Sequence, residues 1–507
     1  MKKTAFLLMM IAVLSKVTGF LRDITLSYFY GATSTSDAYI ISITITSVLF
    51  SLIILGISTA YIPMFKQIEH EKGHPSALNF TNNLITIVLI ITSIVICIGF
   101  CFSHSIVKLF AFGFDGATMK TAITFTQIGL VSIYFTSLTQ LFTSFLQVKG
   151  KFIIPAMIGL PFNVIIIISI VISYQLDTIF LAIGSVMAAL IQMLFLFPAL
   201  RKTNYKYVPT VRVTDEHIKK LFVIVFPIMI GISIDQINLM IDKSISSTIT
   251  EGGVSALTYA SRLNDFVQGI FVISFVSVMF PLISNMAAKK NMKDFKASIG
   301  DVLSTITVIV VPASIGVMIL AEPIIGLLFG RGHFDAMAVK MTAHALFFYS
   351  IGMIGYAFRE ILNRAFYSLQ DSKTPMYNAA IAVFLNIVLN FILSSIMGIS
   401  GLALATSISA LFCSTLLFIN LRRKIGEFGL KRIFITFIKV MTASTLMGAV
   451  VYGLNEYVLS AWHPMIKMTA AVSSGVVVYF FFINLLKVNE SKVIMQYVKQ
   501  RFLSFRQ

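Results

Sequence analysis

Apolar runs of twenty or more residues recur from one end of the chain to the other, broken by short connections that hold most of the charge. A helix needs about 20 such residues to cross the hydrocarbon of a bilayer, and no soluble core could hide so many of them. Of the 507 residues 57% are apolar and only 12% charged, about half the ~25% charge of a soluble domain. An ordinary water-soluble protein is thereby excluded. Hydropathy predicts spans near 5–30, 37–66, 80–103, 121–148, 152–175, 178–200, 217–249, 254–287, 298–321, 338–369, 374–397, 401–421, 433–457 and 464–486. The expected fold is an all-α integral membrane protein with about 14 transmembrane helices. Several spans are too long for one perpendicular crossing, which predicts tilt, kinks or extension beyond the bilayer. Met1-Lys2-Lys3 and the apolar run behind it look like a signal peptide. No small-residue cleavage site follows, so the segment is read as a retained first span.

The net charge of 39 − 21 = +18 would suggest a nucleic-acid partner in a soluble protein. Here the bases sit between apolar stretches, so no nucleic acid is expected. Alternate connections and the termini carry 27 of the 39 bases, the opposite side four (Lys108, Lys120, Arg331 and Lys340), and eight lie within spans. The positive-inside rule then predicts a multi-pass protein of the bacterial cytoplasmic membrane with both termini in the cytoplasm. Cys97, Cys101 and Cys413 all lie in apolar runs, so neither a disulfide framework nor a metal site is expected.

The chain also repeats weakly. Leu146-Gln147 and Asn163 recur as Leu369-Gln370 and Asn386, 223 positions on; Pro63 is echoed by Pro281 at 218; "ALRK" and "NLRRK" end spans six and twelve. Two halves with an even number of helices share one topology, related by an axis along the membrane normal. The reading is a six-helix N-terminal lobe at 1–205, an interlobe linker and six-helix C-terminal lobe at 206–425, spans thirteen and fourteen at 426–487, and a cytoplasmic basic tail at 488–507.

Ionisable groups inside apolar helices cost a few kcal/mol unless paired or hydrated, and by default mark a pathway. The first span holds Lys16, Arg22 and Asp23. Lys16 and Asp23, seven apart, lie on nearly one face, with Arg22 turned about 100° away and Gly19 permitting a bend. The eighth span holds Arg262 and Asp265, three apart. If the lobes face each other, Lys16, Arg22 and Arg262 form a cationic cluster suited to a diphosphate, with Asp23 and Asp265 neutralising it between substrates. Asp242, Asn386, Asn390 and Thr406 offer an all-oxygen set for a monovalent cation such as sodium, in competition with plain interhelical polar packing. Glu360 and Arg364 read as a structural or gating pair. There is no nucleotide loop, zinc-protease helix or nucleophile elbow, and neither an enzyme nor a bound cofactor is expected.

At these residues the chain resembles the MurJ (MviN) family of lipid II flippases, within the multidrug/oligosaccharidyl-lipid/polysaccharide exporter superfamily. "SKVTGFLRD…FYGATSTSDAY" (Ser15 to Tyr39), "YASRLNDF" (Tyr259 to Phe266) and "AFYSLQDSKTP" (Ala365 to Pro375) carry the resemblance, which spans roughly 10–425. It implies a V-shaped pair of lobes around a cationic cavity and an apolar groove on the last two helices for a polyprenyl tail. Lys16, Arg22, Asp23, Asp37, Asn163, Arg262 and Asp265 become the expected substrate-binding set. The implied task is moving undecaprenyl-diphosphate-linked disaccharide pentapeptide to the outer leaflet by alternating access; on physical grounds, a bound cation or the membrane potential is the expected driving force. Membrane lipids and cell-wall synthases are the implied partners. One departure stands out: where the family usually has a second-span arginine, about thirteen residues before the proline, this chain reads Leu49-Phe50-Ser51-Leu52. A flippase for another polyprenyl-diphosphate-linked polysaccharide unit is therefore the alternative. A cation-coupled drug antiporter is disfavoured, because it would line its cavity with acids rather than bases.

Overall fold

The computed structural model describes residues 2–269, 272, 274–459, 462–488 and 490. The expected basic tail, apart from Val488 and Glu490, lies outside the described residues. The described chain is helical nearly throughout. In order come α1 (Lys2–Tyr30), α2 (Ser34–Lys72), α3 (His74–Cys101), α4 (Ser103–Phe110), α5 (Gly116–Leu130), α6 (Ser132–Val148), α7 (Ile153–Met157), α8 (Gly159–Gln175), α9 (Ile179–Leu194), α10 (Phe197–Arg201) and α11 (Glu216–Ile249). Then follow α12 (Gly253–Gln268), α13 (Ser274–Ala288), α14 (Met292–Ile319), α15 (Ala321–Leu328), α16 (Ala336–Ile351), α17 (Met353–Ser368), α18 (Lys373–Met397), α19 (Ile399–Ile425), α20 (Leu430–Gly453) and α21 (Pro464–Leu485). Eleven of the described helical segments are long and apolar enough to span a membrane, twelve when the bent pair α16–α17 is one span. The first helix and the 254–287 segment, also expected to span, are helical where described; they carry the charges Lys16, Arg22, Asp23, Arg262 and Asp265.

Two compact units divide the chain: Met1–Ser255 with Gly332–Asp335, and Ala256–Arg331 with Ala336 onward. The first is built around Tyr61, Phe65, Phe80 and Phe145 at one end and Leu26, Tyr39 and Phe125 at the other. The second surrounds Phe295, Leu303, Phe366 and Leu417. The sequence repeat counts α11 as the opening helix of the second half, but in space α11 packs along α2 of the first unit. Gly56 permits this, since a methyl there would come within 2.8 Å of a Val225 methyl.

Hydroxyls settle the backbone polar groups where helices bend. The α16–α17 span turns by 44° at Gly352. Ser407 of α19 donates to Phe348 O at 2.6 Å, and Ser314 of α14 donates to Ser350 O. The carbonyls released by the kink are thus re-satisfied inside the bundle, as the absence of water in hydrocarbon requires. Gly352 also gives α19 room, because a methyl there would crowd the Ser407 backbone.

The stretch Ala365 to Pro375 forms the end of α17 and the turn into α18. Asp371 receives the Thr374 N–H at 3.0 Å and the Thr374 hydroxyl at 2.8 Å, and its other partner is the Lys424 ammonium at the end of α19. The carboxylate therefore caps one helix and ties it to the next. Partial burial raises its pKa, but the hydrogen bond to Lys424 and those from Thr374 outweigh that and bring it from the ordinary 3.8 down to about 2. A lowered folded-state pKa adds stability above the unfolded value, and that contribution fades as pH falls through the folded one. Asp371→Asn is expected to cost about 1 kcal/mol at pH 7. The gap to the parent should close between pH 4 and pH 2 in thermal unfolding of the detergent-solubilised protein.

Candidate functional site

The first helix is held in place by small residues against α8. A methyl on Gly159 would overlap the Ser15 hydroxyl, whereas one on Gly19 would meet the Asn163 amide at an ordinary 3.5 Å. The close approach lets Asn163, buried on α8, donate from Nδ2 to Ser15 O at 3.3 Å and to Thr18 Oγ1 at 3.2 Å. Its Oδ1 accepts from Arg22 Nη1 at 3.4 Å. Arg22 then turns Nε (3.0 Å) and Nη2 (2.8 Å) onto Asp23 Oδ1. All three guanidinium nitrogens are oriented, two by a carboxylate and one by an amide. With 20% and 13% of their side chains exposed, the Arg22 and Asp23 pair is sheltered yet reachable. Such a fork, already presented to one oxyanion, can receive another of similar geometry, and phosphate oxygens are of that kind.

The remaining expected residues fall out as follows. Lys16 is exposed on α1 and forms no ion pair or hydrogen bond with a described residue; Asp23, which shares its face by spacing, is bonded to its neighbour Arg22 instead. Asp37, only 2% exposed, accepts the Ser255 N–H at 2.7 Å, tying the start of α2 to the first turn of α12. Ser51, in the stretch without a base, is buried and donates to Val48 O at 2.8 Å. Arg262 and Asp265 are both exposed on α12 in the second unit.

Asp265 also lines a cavity of about 590 Å³ in that unit, together with Gln268, Phe280, Tyr356, Arg359 and Arg364. Arg359 lies 5.0 Å from the Tyr356 ring centre and Arg364 5.5 Å from that of Phe280, cation–π distances both. Glu360 pairs with Arg364 at 3.9 Å. The Arg359 Nε is buried with no hydrogen-bond partner. Sequence reading took Glu360 and Arg364 as a structural or gating pair with Arg359 adjacent, and passed over Tyr356. The signal was present in the spacing Tyr356, Arg359, Glu360, Arg364, which sets ring and charges along one side of a helix.

Of the expected cation ligands, Asp242 lies on α11 in the first unit, and Asn386, Asn390 and Thr406 lie on α18 and α19 in the second. Asn386 and Asn390 are buried and bonded to each other, Nδ2 of Asn390 to Oδ1 of Asn386 at 3.1 Å. The Asn386 Nδ2 is buried without a partner, while Thr406 donates to its own helix at Leu402 O, 2.9 Å away. Among the described residues no group of three or more His, Cys, Asp or Glu could hold a metal ion.

Comparison with known proteins bears directly on this arrangement. A family model described as "Lipid II flippase MurJ" matches residues 26–473. A protein of Thermotoga maritima named "Probable lipid II flippase MurJ" is 29% identical, covering 95% of this chain and 96% of its own length. The solved structure "Lipid II flippase MurJ, inward closed conformation" superposes with a TM-score of 0.83 at 25% identity, over 95% of this chain and 98% of the other. An inward-facing multidrug transporter of the MATE family and MOP superfamily gives 0.69 at 13% identity, over 83% and 98%, and shares the fold alone.

The packing of α1 on α8 is open to test. Gly159→Val is expected to destabilise the protein by about 1–3 kcal/mol through overpacking. Gly19→Ala should leave it near the parent. Thermal unfolding of both purified variants, read by tryptophan-independent circular dichroism, checks the contrast.

Proposed function

The chain belongs to the MurJ family of lipid II flippases, and from that premise we infer that it carries lipid II from the inner to the outer leaflet of the bacterial cytoplasmic membrane. The observation that carries the reading furthest is the Arg22 guanidinium on α1, sheltered and oriented by Asp23 and Asn163. A diphosphate-sugar head group cannot cross about 30 Å of hydrocarbon unaided, while its polyprenyl tail can stay in lipid. What the protein must supply is a polar path and a counter-charge. Arg22, with Lys16 on another face of the same helix, is the proposed phosphate ligand of the first unit, and Arg262 that of the second. Asp23 and Asp265 stand in for phosphate between loads, so that a bare cation is never left in the membrane. Asn163 aims the fork, and Asp37 serves by fixing the junction of α2 and α12. The drug-transporter likeness is one of fold and brings no cargo with it.

In this reading no covalent bond is made or broken, and the protein is a carrier working by alternating access rather than an enzyme. Both termini face the cytoplasm, as the charge asymmetry of the connections supports. The last two spans offer the tail its apolar groove, and cell-wall synthases are the natural consumers of the product. Resetting needs a driving force, and the membrane potential supplies about 2.3 kcal/mol per charge per 100 mV. The proposal is that a monovalent cation at Asp242, Asn386, Asn390 and Thr406, or the voltage acting on the cationic path itself, returns the empty protein.

Two experiments test these statements. In cells depleted of their own lipid II flippase, the parent should restore growth and outer-leaflet lipid II, whereas Arg22→Ala and Arg262→Ala should fail although they insert normally. Full rescue by both variants rejects the cationic path. In sealed vesicles, dissipating the sodium gradient and the membrane potential together should slow flipping at least tenfold; an unchanged rate rejects the coupling.

A further inference from the structure

The start of α20 and the end of α21 gather positive charge that the flipping reading leaves unused. A cavity of about 450 Å³ there is lined by Lys431, Arg432, Lys439, Lys487, Glu490 and Ile435, among others. Four bases face one acid, and the acid is already spent. Glu490 Oε1 receives Arg432 Nε at 3.1 Å and Nη2 at 2.8 Å, while Arg432 Nη1 reaches Asp301 at 2.8 Å. Lys431, Lys439 and Lys487 form no ion pair with any described residue. Gly429, also on the cavity wall, precedes α20 and has no side chain to cap its first N–H groups. The positive end of the helix dipole therefore adds to the three ammonium groups.

The surroundings say what kind of anion belongs here. Lys439 lies eight residues beyond Lys431, about 12 Å further along the helix, in the company of Phe434, Ile435 and Ile438, all exposed. Phe481 and Leu485 are exposed on the neighbouring α21. A soluble phosphate would have no use for that apolar flank. A disaccharide-pentapeptide head would not enter 450 Å³, which suits a small group at the lower end of ligand-pocket sizes. Basic pockets between transmembrane helices at the cytoplasmic face are suited to phospholipid head groups.

We propose that this cavity is a resident site for an anionic glycerophospholipid of the inner leaflet. Lys431, Lys439 and Lys487, with the first turn of α20, hold its phosphate, and Phe434 and Ile438 lie along its acyl chains. The three lysines are distinct from the proposed phosphate ligands Arg22 and Arg262, and bound phospholipid is counted directly rather than through transport. The full chain, purified in neutral detergent, is titrated with phosphatidylglycerol, with phosphatidylcholine and with inorganic phosphate, and bound lipid is counted by native mass spectrometry. The parent should retain phosphatidylglycerol at least tenfold more tightly than phosphatidylcholine, and the affinity should fall as salt rises. The triple variant Lys431→Gln, Lys439→Gln, Lys487→Gln should lose that preference while still binding lipid II. Lys439→Gln alone, a milder change, should show a partial loss should the triple variant prove unstable. Equal phosphatidylglycerol binding by parent and variants overturns the proposal. So does displacement of the lipid by millimolar inorganic phosphate, which would mark a soluble-anion site, or loss of lipid II alone, which would mark a loading station for the cargo.

Discussion

Hydrocarbon offers no hydrogen bonds, and almost everything in this structure follows from that. Backbone groups must be paired inside the protein, which leaves helices as the natural way to cross. Side-chain hydroxyls turn inward on their own helices, as Thr81 does onto Ala77 O and Thr307 onto Leu303 O. A sheltered charge is costly unless it finds an opposite, which is why Arg22 meets Asp23 and the buried Glu490 meets Arg432, whose fork also reaches the exposed Asp301. The first pair lies within α1 and the second near the ends of α20 and α21, and the chemistry differs accordingly. A sheltered pair can exchange its partner for a substrate; one at the membrane edge, shared among several acids, works as a staple.

The sequence made the helices easy to read because their signal is additive. Twenty apolar residues in a row outweigh any local ambiguity, and the candidate spans coincide with helical stretches wherever residues are described. Ends and breaks were harder. The kink between α16 and α17 depends on hydroxyls from α14 and α19, 36 and 59 residues away in the chain, and no window along one helix contains that information. The placement of α11 beside α2 is of the same kind: Gly56 shows itself as a contact point only once Val225 is opposite.

The candidate site was legible in part. Residue type alone singled out Arg22, Asp23, Arg262 and Asp265, since charge in an apolar run is conspicuous. Partners were not. Spacing put Asp23 on a face with Lys16, yet the long Arg22 side chain folds back onto its immediate neighbour and takes both nitrogens there. Nothing in the pattern forecast that Asn163 would cross from α8 to finish the arrangement, because a lone asparagine in a hydrophobic helix is as often a packing contact as a ligand. The basic mouth of α20 and α21 escaped for the opposite reason: lysines near helix ends are so common that only their convergence on one cavity distinguishes these.

The bend at Gly352 has a mechanical implication. In an unbroken helix, changing curvature means stretching or breaking main-chain hydrogen bonds, an expensive step where no solvent can replace them. At this joint two of the carbonyls already look sideways to serines on other helices, so the cost was met during folding. A bend whose carbonyls are held by side chains rather than by the helix itself can change angle without breaking further main-chain hydrogen bonds.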